Sequence, residues 1–357
     1  MTTTRLPKTI TAGALLATPI PPVKWIIPGL LPAGLAIFAG PSKAGKSWLT
    51  LWLCLQISQG KSVWGREIEP RTVLYFSLED TLGRLQERLY QLVDAEEDPE
   101  RLILQTESHG IGQGLEEQIV SFIHTYPDIS LIVIDTLQKV RKGDQNGSMY
   151  ANDYRDIGAL KELADKYGIC VLTVHHTRKQ PAGDSFEMIS GTTGLLGCAD
   201  GSLLMQKKKR TALEATIDVV GRDQQDQILY LSKDPVTQIW NLERTETELH
   251  REPPDKVLEA VARLVSAEQR EWTGSPSELA EAAQTGMVAN ALTKYLNVKC
   301  GKLAGDYGVD YENKAKHSGR RVKLTYNAEC DGCDGRNGEN DTTKTTVAIV
   351  ATVAEQK

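Results

Sequence analysis

Eight consecutive residues, 40–47, contain the glycines, the lysine and the hydroxyl group that a phosphate-binding loop requires. They are Gly40, Pro41, Ser42, Lys43, Ala44, Gly45, Lys46 and Ser47, which together form the complete pattern GxxxxGKS. In this pattern the glycines let the backbone wrap around a chain of phosphates, whose negative charge then faces main-chain N–H groups. Lys46 would reach the β- and γ-phosphates, and the hydroxyl of Ser47 would bind Mg²⁺. All eight residues are therefore predicted to bind ATP together with Mg²⁺.

Two predicted strands end in carboxylates that phosphoryl transfer could use. The apolar run 131–134 ends at Asp135, which we expect to hold Mg²⁺ opposite Ser47. The strand 72–77 is followed by Glu79 and Asp80. We expect Glu79 to act as the base for the attacking water, with Asp80 as the second choice. The alternative is an exposed acidic turn that only caps the following helix.

A histidine and an arginine also follow predicted strands. His175 continues the strand 169–174 and is preferred over His176 as the residue that senses the γ-phosphate, although it could be a purely structural histidine. Arg222 comes directly after the strand 214–220. A cation supplied by a neighbouring subunit accelerates phosphoryl transfer, so Arg222 is the candidate for that role, against the alternative of an ordinary surface arginine. Lys46, Glu79, His175 and Arg222 form the predicted catalytic set.

The elements that must position these residues alternate along the chain. Residues 34–39 form a short apolar strand before the loop, and residues 48–57 can form a helix after it. From residue 34 to about 240, further short apolar strands alternate with segments of helical spacing, such as 81–93 and 153–167. This order predicts an α/β fold with a mostly parallel central sheet. The strand and helix around the octet also argue against a chance match to the pattern.

The composition indicates an ordinary folded protein, with 40% hydrophobic and 25% charged residues. The net charge of −6 argues against a uniformly basic nucleic-acid-binding protein but allows a local basic surface. The six cysteines are scattered, as is typical of a reducing compartment. Cys330 and Cys333 form a single CxxC without the second pair that a structural zinc needs. No apolar run has the length of a membrane span, so the predicted location is the cytoplasm, with no membrane partner.

The C-terminal part of the chain follows a different pattern. Pro253 and Pro254 break the chain after a charged stretch, and residues 255–326 then predict three helices and a two-stranded hairpin, the order of a winged helix. Residues 287–326 contain eight Lys or Arg against three acidic residues, a local balance of +5. This asymmetry favours DNA contacts through Lys294, Lys299, Lys302, Arg320 and Arg321, with a protein-binding winged helix as the alternative.

The predicted organisation therefore has five parts. They are an N-terminal arm (1–33), an ATPase domain (34–245), a linker (246–254), a winged-helix-like domain (255–326) and a disordered tail (327–357).

These motifs, in this order, resemble the RecA-like ATPases, specifically the KaiC, DnaB and RepA-type branch often described as AAA family ATPases. The resemblance extends over residues 10–245. Besides the octet it rests on the segments 25–31, 76–80, 132–135, 175–178, 190–194, 199–200 and 221–223. It departs from the DnaB-type helicases in one respect, because about thirty residues precede the ATPase where those helicases have an N-terminal collar domain.

The resemblance implies several further properties. It implies that Glu79 is the catalytic base, that His175 senses the γ-phosphate and that Arg222 acts in trans within a hexameric ring. It also implies two pore loops that contact single-stranded DNA. The first is 138–152, with Lys139, Arg141 and Lys142, and the second is 177–190, with Arg178 and Lys179.

The resulting hypothesis is a replicative DNA helicase of a phage, plasmid or integrated element. It would form a homo-oligomer, act on single-stranded DNA, contact duplex DNA through its C-terminal domain, and work with a primase or initiator. The alternative is a non-motor, ATP-gated DNA-binding recombination or regulatory factor. A third hypothesis is a KaiC-like signalling scaffold, which the single ATPase domain and the DNA-binding character of the C-terminal part disfavour.

Overall fold

The computed structural model describes residues 9–93, 98–141, 149–178, 185–189, 193–209, 211–247, 255–316 and 319–327. The chain divides into two compact units. One unit contains Val23–Arg251, and the other combines both ends of the chain, Met1–Pro22 and Glu252–Lys357.

A nine-stranded sheet forms the centre of the larger unit, in the order β11-β10-β9-β8-β3-β7-β6-β4-β5. Its six strands from β8 to β5 are parallel, whereas β9, β10 and β11 are antiparallel. The strands of this unit are β1 (Trp25–Ile27), β2 (Leu31–Pro32), β3 (Gly34–Gly40), β4 (Thr72–Ser77), β5 (Leu102–Gln105), β6 (Ile129–Asp135), β7 (Cys170–His176), β8 (Gly201–Gln206), β9 (Glu214–Gly221), β10 (Gln227–Lys233) and β11 (Trp240–Thr247). β1 and β2 pair separately, as a two-stranded sheet.

Helices cover both faces of this sheet. They are α2 (Lys46–Gln59), α3 (Leu82–Leu92), α4 (Leu115–Thr125), α5 (Leu137–Val140), α6 (Met149–Tyr167) and α7 (Thr193–Cys198). Successive side chains of a strand point to opposite faces, so the core divides in two. One cluster packs α2 and α3 against one face, and the other packs α4 to α7 against the opposite face. The predicted α/β class is confirmed.

The sequence patterns missed several elements of this unit, of which β11 and α4 are the longest. β11 occupies the charged stretch that sequence analysis placed before the linker, and most of its residues are exposed because it lies at the edge of the sheet. α4 was not predicted at all, although Leu115 and Ile119 are fully buried on one side of it. Where a predicted strand is present, its bounds differ from the observed ones by a few residues at most: 72–77 is β4 unchanged, whereas 131–134 lies within the longer β6.

The second unit contains α8 (Lys256–Ala262), β12 (Glu271–Gly274), α9 (Pro276–Ala283), α10 (Ala289–Tyr307), β13 (Val309–Lys316) and β14 (Gly319–Tyr326). β12, which sequence analysis missed, pairs with β14 to complete a three-stranded sheet in the order β12-β14-β13. Ser275 and Glu278 form a capping box at the start of α9, as the Ser-Pro-x-Glu sequence predicts. The three helices and the sheet enclose a separate hydrophobic core.

The N-terminal segment packs on this second unit. Its short helix α1 (Ala12–Leu16) lies against α10. The side chain of Asn297 donates to the carbonyl of Leu16 at 2.9 Å, and the thiol of Cys300 donates to the carbonyl of Ile20 at 3.3 Å. The predicted arm 1–33 is therefore divided, since β1 and β2 belong to the larger unit. Within the part of the chain that the structure describes, every helix is too short or too polar to cross a bilayer.

Candidate functional site

The phosphate-binding octet connects the end of β3 to the start of α2. Gly45 precedes α2 with φ of 102°, a conformation that favours glycine. A Cβ atom at this position would also lie 3.1 Å from the indole ring of Trp240, which is fully buried. The indole ring of Trp240 therefore packs against the backbone of the loop at Gly45, and only glycine fits at this position without strain.

Lys46 is folded into the loop. Its Nζ atom donates to the carbonyl of Gly40 at 2.8 Å and to that of Pro41 at 2.9 Å. Burial lowers the pKa of Lys46 to about 8, although the charges of Asp135 and Glu79 act in the opposite direction. The ammonium group is therefore close to both predicted carboxylates and is held where the loop would enclose phosphates.

Asp135 ends β6 beside the loop and is 3% exposed. Its Oδ2 atom accepts a hydrogen bond from the hydroxyl of Tyr75 at 2.9 Å, and its carboxylate also interacts with the hydroxyl of Ser47. Burial raises the pKa of Asp135, and the hydrogen bonds from Ser47 and Tyr75 oppose this effect. Its Oδ1 atom is buried and has no hydrogen-bond partner among the described residues. A carboxylate oxygen and a hydroxyl at this position are the oxygen donors that Mg²⁺ prefers, so the residues fit the ion.

Glu79 and Asp80 have different surroundings at the tip of β4. Glu79 is exposed, and its Oε1 atom accepts a hydrogen bond from the hydroxyl of Thr136 at 3.1 Å. The side chain of Asp80 is 8% exposed and forms ion pairs with Arg84, at 3.0 Å, and with Arg88. Two arginines thus neutralise Asp80, whereas the carboxylate of Glu79 faces the loop side of the sheet. These contacts favour Glu79 over Asp80 as the base.

The structure brings His176, and not His175, against the phosphate loop. The Nδ1 atom of His176 lies 3.5 Å from Nζ of Lys46 and 3.5 Å from Oγ of Ser42. His175 is 2% exposed on the other face of β7. Burial and the charge of Lys46 lower the pKa of His176, which favours the neutral form of its ring. His176 is therefore the histidine that lies beside the loop, whereas the role of His175 as γ-phosphate sensor stays a prediction.

Four strand ends converge at this edge of the sheet. In the parallel ladder Gly40 pairs with His176, Val174 with Asp135, and Asp135 with Ser77. The ends of β3, β7, β6 and β4 are therefore level, which explains how residues distant in sequence surround one loop. A cavity of about 480 Å³ lies next to it, lined by Pro41–Ala44, Thr177, Arg178, Met188 and Leu204–Lys207.

Arg222 lies at the other end of the strands, level with the start of β3 and away from the phosphate loop. Gly201 pairs with both Ala36, near the start of β3, and Gly221, at the end of β9. Ala36 lies four residues before Gly40, where β3 ends, so Gly221 is roughly 13 Å from the loop end of the sheet, measured along the strands at about 3.3 Å per residue. Arg222 cannot reach the phosphate loop of its own chain.

The predicted DNA contacts of the larger unit differ in exposure. Lys139 is exposed on α5, and Arg178 is exposed beside the cavity at the loop. The side chain of Arg141 is only 15% exposed and lies 3.5 Å from the buried carboxylate of Asp156, so it anchors the chain to α6. Lys142 and Lys179 lie outside the described residues.

The basic residues of the second unit are partly paired. Lys323 lies 2.7 Å from Glu271, Lys314 lies 2.6 Å from Glu312, and Arg321 lies 4.0 Å from Glu278. The positive charge balance of residues 287–326 leaves out Glu271 and Glu278, which precede that segment. Of the predicted contacts, Lys294 and Arg320 are exposed, whereas Lys299 and Lys302 are half-buried on α10. Cys330 and Cys333 lie outside the described residues.

Sequence reasoning missed three residues that shape the site. Tyr75 binds Asp135, Thr136 binds Glu79, and Trp240 supports Gly45. Thr136 directly follows Asp135, so its position alone could have marked it. Tyr75 and Trp240 have no local signal, because they act through contacts between distant segments.

Comparison with known proteins agrees with this geometry. Residues 2–182 match the family described as "AAA domain". Among solved structures, a DnaB-like replicative helicase, described with its interactions with primase, has a TM-score of 0.50 at 11% identity over 62% of this chain and 64% of its own. The ATPase domain of G40P has a TM-score of 0.48 at 12% identity, covering 59% of this chain and 85% of that one. The RadB recombinase has a TM-score of 0.42 at 20% identity, covering 58% and 90%.

At 11% identity the likeness to the DnaB-like helicase concerns the fold alone, and this chain spans less than two thirds of that helicase. The family match, by contrast, covers half of the chain and includes the phosphate loop, Glu79, Asp135 and His176. The resemblance inferred from the motifs is thereby confirmed at the level of family and fold. The chain belongs to the AAA domain family, and its larger unit has the RecA-like ATPase fold.

Proposed function

We propose that this protein is a DNA-dependent ATPase that works as an oligomeric replicative helicase. The observation that carries the proposal is the convergence of Lys46, Asp135, Glu79 and His176 at the ends of four adjacent parallel strands. These groups match the needs of phosphoryl transfer, which depends on positioning and on charge stabilisation more than on covalent chemistry.

Each residue has a distinct role in the proposed reaction. Ser47 and Asp135 would hold Mg²⁺, which would neutralise charge on the phosphates. The ammonium of Lys46 exchanges its contacts with Gly40 and Pro41 for phosphate oxygens. Glu79, oriented by Thr136, accepts a proton from the attacking water. The ring of His176, whose two nitrogens can form hydrogen bonds, reports the presence of the γ-phosphate.

The site is completed by a second copy of the chain. Arg222 is separated from its own loop by most of the length of β3, so its guanidinium can assist only at the site of a neighbour. A repeated head-to-tail contact of this kind closes into a ring when the rotation permits. A hexameric ring, with single-stranded DNA held near Lys139 and Arg178, is the assembly we propose.

The second unit supplies a further contact to DNA or to a partner protein. Its element order, with three helices, an added strand β12 and a final hairpin, supports a winged helix. We propose that the exposed part of α10 and the hairpin contact duplex DNA, and that the ring works with a primase or an initiator. The rival function is a non-motor, ATP-gated DNA-binding factor, because the same ATPase site serves both.

One experiment separates the two functions. ATP hydrolysis is measured with and without single-stranded DNA, and strand displacement is measured on a forked duplex with the same preparation. A helicase shows stimulated hydrolysis and displaces the strand, whereas Lys46→Ala, as the control, does neither. Stimulated hydrolysis without displacement at any protein concentration would favour the non-motor factor.

A further inference from the structure

The carboxylate of Asp200 is held by several contacts near the start of β3, at the end of the strands that lies away from the phosphate loop. Its Oδ2 atom accepts a hydrogen bond from the main-chain N–H of Leu35 at 2.8 Å and lies 3.2 Å from Nζ of Lys161. A Cβ atom on Gly34 would lie 2.4 Å from the same oxygen, so Gly34 leaves the space that the carboxylate fills. The side chain of Asp200 is 11% exposed.

The other oxygen of this carboxylate faces Arg222. Oδ1 lies 3.4 Å from one terminal nitrogen of the guanidinium, and the second terminal nitrogen donates to the carbonyl of Gly197 at 3.1 Å. The main-chain N–H of Arg222 also donates to the carbonyl of Asp200 at 2.8 Å. Three contacts therefore hold Arg222 from one side, while its side chain stays 61% exposed.

The turn that carries Arg222 is tightly packed as well. Gln224 is 8% exposed and lies against Gly201 and Gly221. A Cβ atom on Gly221 would lie 2.5 Å from the amide group of Gln224, and this amide donates to the carbonyl of Val220 at 3.3 Å. The backbone on both sides of Arg222 is therefore fixed relative to β8 and β9.

From these contacts we propose that Asp200 is a positioning residue that holds Arg222 ready for the neighbouring subunit's phosphates. This inference rests on the proposed function, in which Arg222 acts in trans. An unheld arginine side chain would lose rotamer entropy when it binds. Asp200 and Gly197 instead restrict the guanidinium before the copies meet.

Arg222 can keep these contacts while it acts on a neighbour's phosphates. A guanidinium has five N–H donors, of which Asp200 and Gly197 accept one from each terminal nitrogen, and the side chain is 61% exposed. The ammonium of Lys161 and the N–H of Leu35 in turn hold the carboxylate of Asp200 in place. Because Leu35 lies near the start of β3, the carboxylate also fixes Arg222 relative to the strand that carries the subunit's own phosphate loop.

The test uses Asp200→Asn in the full chain, since asparagine keeps an acceptor for the N–H of Leu35 but loses the charge. We expect kcat for ATP to fall about tenfold with little change in KM, because small misplacements of a catalytic group are costly and the variant's own loop is intact. Asp165→Asn is the matched control, since Asp165 also pairs with Lys161 but does not contact Arg222. It should keep wild-type kcat.

Mixing distinguishes positioning from a general structural defect. In an excess of Lys46→Ala protein, each Asp200→Asn subunit meets a neighbour with an intact Asp200 and Arg222. Its turnover should therefore return toward the wild-type value. In an Arg222→Ala background, Asp200→Asn should add no further loss of kcat. If the asparagine variant does not fold, as judged by its melting curve, Asp200→Ser is used in the same mixture.

The outcomes also separate this inference from the proposed function. If Arg222→Ala keeps wild-type turnover, the shared site itself is wrong. If Arg222→Ala is inactive and is rescued by Lys46→Ala, the shared site stands. In that case, a wild-type kcat for Asp200→Asn, or a loss that mixing does not rescue, overturns the role of Asp200 alone.

Discussion

The imidazole of His176 and the ammonium of Lys46 face each other across the phosphate loop, with Nδ1 and Nζ 3.5 Å apart. The contact follows from the alternation of side chains along β7. Leu172 and Val174 belong to the cluster that packs against α2, and His176 continues this set. His175 points to the other face, away from the helix that begins with Lys46.

This relationship predicts different effects for the two histidines. His176→Ala should keep ATP binding but lower turnover on the order of 10²-fold, as the loss of a preorganised hydrogen-bonding group at phosphate would. His176→Gln should recover part of the rate, because glutamine also has a donor and an acceptor. Steady-state phosphate release measures both variants. If only His175→Ala, with an unchanged melting temperature, lost turnover, the sensor would be His175.

The carboxylates at the tip of β4 provide a second prediction. Glu79→Gln should bind ATP normally and lose turnover by about 10²- to 10⁴-fold, because the amide keeps the shape but cannot accept the proton. Asp80→Asn should lower the melting temperature, since Arg84 and Arg88 lose their partner, and should change kcat much less. ATP binding, kcat and thermal melting are compared in the two variants. The opposite pattern of kcat would move the base to Asp80.

The position of Lys46 predicts how ATP affinity depends on pH. Burial lowers the pKa of Lys46 to about 8 in the nucleotide-free protein, and bound phosphates would raise it. Binding therefore takes up a proton above pH 8, so affinity should fall as the pH rises, by up to about tenfold per pH unit. Titration with a fluorescent ATP analogue from pH 6.5 to 9.5 measures this effect.

Lys46→Arg is the control for this titration, because arginine keeps its charge throughout the range. Whatever affinity remains in that variant should not fall above pH 8. An affinity of the wild-type protein that stays constant up to pH 9.5 would contradict the lowered pKa.

The sequence predicted those parts of the site that depend on local patterns. The octet, Asp135 and Glu79 each follow an apolar strand, and that pattern was sufficient to place them. The sequence pattern could not show which of His175 and His176 lies beside the loop, because Cys170–His175 are all buried and β7 is apolar on both faces. The pattern therefore does not reveal which face meets α2. The sequence did not mark Trp240 as part of the site, because it is the first residue of a mostly exposed edge strand and contacts Gly45 only in the folded protein.

In the second unit, the sequence likewise does not reveal which charges are paired in the folded protein. Its basic residues stand close together in the sequence, but Glu271 and Glu278 reach Lys323 and Arg321 only after β12 and α9 fold against β14. The net charge of a sequence window therefore overstated the free positive charge of this surface.

These ion pairs predict which lysines contribute to DNA binding. Lys294→Ala, which removes an exposed charge on α10, should lower affinity for duplex DNA and reduce the salt slope by about one. Lys323→Ala is the matched control, because Lys323 is already paired with Glu271. Binding is measured by anisotropy at several salt concentrations. Equal slopes for Lys294→Ala and the wild-type protein would favour a protein-binding role for this unit.

The central claim, that each ATPase site is shared between two copies, is tested most directly by mixing two inactive variants. Lys46→Ala lacks the cation of the loop, and Arg222→Ala should lose turnover on the order of 10³-fold while keeping its fold and ATP binding. In a mixture, some interfaces pair an intact loop with an intact Arg222, so ATP hydrolysis should reappear and should depend on the ratio of the two proteins. A mixture as inactive as its components, from variants shown to assemble together, would contradict the shared site.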